Sequence, residues 1–124
     1  MEVAGTTKKP SILVLEGLGD SYTKNNETRS LAWLLGPIPH LAPPLLEVSY
    51  LPVGTAPIQG NVDAETTAAF VQFAPDGLLG IPPSPGCVGE LEGHFCAQVA
   101  PEARRLRADF YRSAVEDDPP VLDW

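Results

Sequence analysis

Four consecutive apolar residues, Ile12-Leu13-Val14-Leu15, run directly into Glu16-Gly17-Leu18-Gly19-Asp20-Ser21. An unbroken apolar run of this length is the signature of a strand covered on both faces, which favours a parallel sheet over a half-exposed antiparallel one. Gly17 and Gly19 then allow a tight turn or a close backbone approach. Open α/β sheets place their ligand sites where strands end and such loops begin. The stretch therefore predicts an α/β chain with a site loop following its first strand.

The segments that follow fit that class. "NNETRSLAWLLGP" predicts a helix over 26–35, capped by Asn25 or Asn26, with Leu31, Leu34 and Leu35 on one face and Gly36-Pro37 as its stop. "LLEVSYL", residues 45–51, has the composition of a second strand, so strand, helix and strand form a right-handed βαβ unit. "NVDAETTAAFVQF" places Val62, Thr66, Ala69, Phe70 and Phe73 at helical spacing. Asn61 stands as the cap, and Asp63 and Glu65 lie near the positive end of the helix dipole, giving an expected helix over 62–73. Pro75-Asp76-Gly77 is turn chemistry. "PEARRLRADFYRSAV" is the clearest helix, 101–115, opened by Pro101, with Val99, Ala103, Leu106, Phe110 and Ala114 as its apolar stripe. The fourteen prolines, several of them paired, imply long ordered loops between these elements.

At 124 residues the chain is one domain or a piece of one. Its net charge of −8 lacks the basic footprint that nucleic acids require and disfavours an anionic membrane surface. No apolar run is long enough to span a bilayer. "MEVAGTTKKP" has no apolar core of a signal peptide, so the chain as given is expected to be soluble and cytoplasmic. Cys87 and Cys96 leave three readings open: a disulfide, a pair of reduced thiols, or metal ligands together with His94 and Glu90. His40 and His94 are the two histidines able to act as bases, but no serine sits in G-x-S-x-G. Arg104, Arg105, Arg107 and Arg112 share a helix with Glu102 and Asp109, the pattern of a solvated charged face. Asn26-Glu27-Thr28 is a glycosylation sequon, with Asn26 as the acceptor if the chain is secreted.

Taken together, two blocks resemble the palmitoyl-protein thioesterases, lysosomal or secreted α/β-hydrolases that remove fatty acyl groups from S-acylated cysteine. "SILVLEGLGDSY" is similar to that family's opening strand and H-G-x-G-D-S loop. "GLLGIPPSPGC" through "GHFCAQVAPEARRLRADFYRSAVEDDP" is similar to its G-x-x-G-x-P stretch, close cysteine pair and following helix. The resemblance implies a partial α/β-hydrolase-like domain over 1–124, with a small parallel sheet of two or three strands packed by helices. It implies no cofactor. The backbone N–H of Leu18 takes the place of an oxyanion-hole donor, and Cys87 and Cys96 lie within bridging distance. An S-acylated protein or a fatty-acyl ligand is the implied partner. Departures from the family are equally specific. Glu16 stands where the family has histidine. "FVQFAPDGLLG" joins directly across the place of the central strand, nucleophile and following helix, and no residue is assignable as nucleophile, base or orienting acid. The expectation is a thioesterase-like chain without turnover, or a non-catalytic acyl-chain or protein binder whose incompletely covered sheet favours self-association.

Overall fold

A computed structural model describes residues 9–36 and 38–124. β1 (Ile12–Gly17) leads into α1 (Asn25–Leu34). The chain then passes through β2 (His40–Leu41), β3 (Val53–Gly54) and β4 (Ile58–Gln59) to β5 (Ala68–Phe73), and ends with α2 (Gly93–Val99), α3 (Pro101–Glu116) and β6 (Val121–Leu122). Four strands form a parallel sheet in the order β1-β5-β2-β3, while β4 and β6 make a small antiparallel ladder. The architecture is α/β, as the first strand implies, with four parallel strands rather than two or three.

The largest correction concerns residues 62–73. The expected helix is absent, and its second half is β5, the central strand of the sheet, every residue of which is buried. β5 pairs in parallel with β1 from Ile12↔Ala68 to Gly17↔Phe73 and meets β2 at His40↔Phe70. The sheet thus has a central strand, which the expectation of a direct join across that region denied it. Asn61 does not cap a helix. Its side chain accepts from the Ala68 N–H and donates to the Ala68 carbonyl, continuing the sheet's hydrogen bonding at the start of β5. Residues 45–51 are not a strand either. They form turns held by Gln72, whose Oε1 accepts from the N–H groups of Leu45 and Leu46. Short β2 and β3 flank that excursion, so β1 has β5 as its neighbour instead of the 45–51 segment.

Side chains alternate across the sheet as strand geometry requires. Ile12 and Val14 pack with Ala68 and Phe70 against Ala32, Ile38, Val48 and Leu51. On the opposite face, Leu13 and Leu15 join Ala69, Val71 and Phe73 against Cys96, Ala103, Leu106 and Phe110 of the helices. α3 occupies its expected place and buries Ala103, Leu106 and Phe110. Its fourth inward position is Ser113, not Ala114, and Val99 is exposed. The Ser113 hydroxyl accepts from the Val121 N–H at 2.9 Å, which seats β6. α1 differs more in packing than in position. Lys24 is its N-cap, and only Ala32 is buried, while Leu31, Leu34 and Leu35 all face outward.

Candidate functional site

β1 and β5 both run toward a common edge, and the loop after β1 is built there almost entirely from its own hydrogen bonds. The Leu18 N–H donates to the Phe73 carbonyl at 2.8 Å, extending the β1–β5 ladder by one rung. Asn25, no helix cap after all, bridges the turn: Nδ2 donates to the Gly17 carbonyl and Oδ1 accepts from the Gly19 N–H. Asp20 Oδ1 accepts from the N–H groups of Tyr22 and Thr23, each at 2.8 Å, the short-range closure that aspartate makes in turns. The amide offered by the resemblance as an oxyanion donor therefore points into the sheet in this conformation.

α2 brings a second set of polar groups to the same edge. Its N-terminus lies against β1 because Gly17 and Gly93 have no side chains. A Cβ on Gly17 would collide with the Gly93 carbonyl, and one on Gly93 with the Leu18 carbonyl. This contact puts His94 Nδ1 3.1 Å from Asp20 Oδ2. It also puts Glu92 beside Ser21, whose hydroxyl donates to Glu92 Oε2 at 2.6 Å and whose N–H donates to Oε1 at 2.8 Å. A cavity of about 210 Å³ opens next to them, lined by Glu16, Asp20, Thr23, Thr28, His94 and Arg107 among others. Sequence reasoning named His94 as a candidate base but neither its pairing with Asp20 nor that of Ser21 with Glu92. The two stretches lie more than 70 residues apart in sequence, and glycine in both is the one local trace of their contact.

Charge at this edge is settled locally. Burial works against the Asp20 carboxylate, but the Thr23 and Tyr22 N–H groups and His94 outweigh it and hold the acid below its ordinary range. The Ser21 hydroxyl and N–H lower Glu92 in the same way. Glu16 is 1% exposed, and burial raises its pKa although Arg29 Nε donates to it at 2.8 Å and Gln72 Nε2 at 3.2 Å. His94 is thus oriented by a carboxylate, and its Nε2 has no partner among the described residues. Ser21, however, is bonded to Glu92 and not to an imidazole. A glutamate whose acidity is enhanced is a poor acceptor for a serine proton. β5 is followed by Ala74-Pro75-Asp76, with no serine or cysteine directly after the strand.

The other sequence-derived candidates fall elsewhere. Cys87 and Cys96 form a disulfide with a Cα–Cα distance of 5.5 Å, so neither sulfur is a thiolate ligand, and Glu90 serves the loop by accepting from the Glu92 N–H. Among the described residues no cluster of three or more His, Cys, Asp or Glu side chains is arranged to hold a metal ion. His40 is buried in β2 with its ring edge-on to Phe70, and Nε2 has no hydrogen-bond partner among the described residues. Asn26 is exposed in the first turn of α1. Three of the four α3 arginines are paired or capping: Arg112 and Arg105 meet Asp109, and Arg107 donates to the carbonyls of Ala97 and Gln98 at the end of α2, while Arg104 is exposed. No described helix is long and apolar enough to cross a membrane.

A second cavity, of about 1070 Å³, lies at the opposite edge, where β1 and β5 begin. Its walls are chiefly apolar, with Ile12, Leu35, Ile38, Ile58, Val62 and Ala68 among them. Binding sites for small molecules commonly span about 300–1,000 Å³ and are lined mainly by apolar groups. β1 separates this cavity from the His94 edge by about 17 Å, at roughly 3.3 Å per residue. Comparisons with protein-family models, with curated proteins and with solved structures give no match to this chain.

Proposed function

We propose that the chain is a non-catalytic binder of a fatty acyl chain, held in the apolar cavity at the start of the parallel sheet. The observation that carries this reading is the cavity itself, with its aliphatic walls and a size suited to a long single chain. The resemblance to the palmitoyl-protein thioesterases supplies the same ligand class. Two features favour binding without turnover. Ser21 is committed to Glu92, and the polar cluster stands about 17 Å from the cavity, too far to reach an acyl carbonyl lodged there.

Displacement of a fluorescent fatty acid by palmitate tests the reading on the full chain. Competition at micromolar concentration is the expected result. Val62→Glu is expected to weaken it at least about tenfold, since a charge then lies against an apolar ligand. Val62 is half exposed and lines the cavity, so the substitution spares the core. Absence of competition overturns the reading. A hydrolase reading draws on the Asp20–His94 pair, and thioester hydrolysis lost in both His94→Ala and Ser21→Ala would establish it in place of simple binding.

A further inference from the structure

We infer that the ligand of the large cavity carries a negative head, and that Lys9 selects a free fatty acid over a neutral acyl ester. The inference rests on the acyl-chain reading and adds to it the chemistry of the group at the cavity mouth. The chain has sixteen acidic residues against eight basic ones, so a cavity drawn at random from its surface should meet carboxylates first. Among the described residues lining this one there is no Asp or Glu, and the single charged side chain is Lys9.

The cation is available. Lys9 is exposed at the rim and has no carboxylate partner among the described residues. Its backbone is fixed beside the cavity wall, because its carbonyl accepts from the Thr66 hydroxyl at 3.4 Å. Most neutral polar side chains nearby are occupied: Asn61 is bonded at both ends to Ala68, Gln59 Nε2 donates to the Pro119 carbonyl and the Thr66 hydroxyl donates to the Lys9 carbonyl, leaving Thr55. A neutral ester or thioester would therefore find few unused donors, whereas a carboxylate finds an ammonium with no carboxylate partner among the described residues. Apolar walls ending at one cation are complementary to a single-chain carboxylate amphiphile.

The test compares palmitate, methyl palmitate and a palmitoyl lysophosphatidate as competitors of the fluorescent fatty acid, on the wild-type chain and on Lys9→Met. Palmitate is expected to outcompete methyl palmitate by about fivefold, the scale of one partly exposed ion pair. Lys9→Met should erase that preference and leave methyl palmitate unchanged. The preference should also shrink at roughly 1 M salt, where the Debye length is about 3 Å. Equal binding of palmitate and its methyl ester, with no effect of Lys9→Met, overturns the role of Lys9 while leaving acyl-chain binding intact. Failure of all three ligands overturns acyl-chain binding itself. Lys9-dependent binding of the lysophosphatidate in preference to palmitate overturns the fatty acid as the occupant and assigns the cation to a phosphate head.

Discussion

At the scale of single residues, the sheet's α1 face carries an unusual polar line. Arg29, Glu16 and Gln72 are joined by hydrogen bonds, and His40 sits close by, 1% exposed. Burial raises Glu16 above its ordinary value of 4.5 and lowers His40 below its ordinary value of 6.5. The two have opposite effects on stability. For Glu16 the folded chain binds its proton more tightly, so the contribution is complete at low pH and is lost as pH rises through the raised value. For His40 the unfolded chain binds the proton more tightly, so the contribution is complete above 6.5 and declines as pH falls below it. The His40 contribution should therefore lower the wild-type melting temperature relative to that of His40→Leu as pH falls from about 7 to about 5. An unchanged slope in His40→Leu would exclude that contribution.

At the scale of elements, β1 meets α2 through the closest approach made at any described glycine. Gly93→Ala is expected to cost about 3 kcal/mol or more, because the new methyl group meets backbone rather than a yielding side chain. Chemical denaturation measures that loss, and Gly89→Ala serves as a control for strain alone, having open space but a φ of +83°. Neither the pairing of Gly17 with Gly93 nor α2 itself is legible in the sequence. The "GHFCAQV" stretch has only seven residues, and the positions it buries, Gly93, Cys96 and Ala97, are too small and few to read as an apolar stripe. β1 and α3 were legible for the opposite reason: one is a continuous apolar run and the other a full amphipathic period. β5 was misread because a strand buried on both faces has too few polar positions to reveal a two-residue repeat, Gln72 being the one it has. With two alanines and a phenylalanine every third position, "AAFVQF" satisfies a helical template as well as an extended one. Residues 45–51 failed in the converse way, their strand-like composition being spent on turns between Pro43-Pro44 and Pro52.

For the whole molecule, the asymmetry between the two sides of the sheet governs behaviour in solution. One side is closed by α2, α3 and the C-terminal strand. The other is closed by α1 and the turns of residues 43–51, whose outer surface exposes Leu31, Trp33, Leu34, Leu45, Leu46 and Tyr50, with Leu34 at 79%. Trp33 of α1 and Tyr50 of the turns meet edge to face at 6.0 Å, so the two exposed apolar groups touch across that boundary. Self-association at micromolar concentration is expected through this surface, and sedimentation equilibrium should show Leu34→Glu to be more monomeric at equal concentration. A wild-type chain that stays monomeric through that range would exclude the surface as an interface.

The neighbours β1 and β5 are 56 residues apart in the chain, Ile12 lying beside Ala68. During synthesis at about 5–20 residues per second, β1 therefore waits roughly 3–11 seconds for the strand that covers its edge. For that interval the most apolar tetrapeptide in the protein lacks its native neighbour, and an unpaired strand edge invites association with another chain. The yield of folded protein is then set by what happens to residues 12–15 before residue 73 is made, and a holdase that shields β1 until then acts on the step that matters.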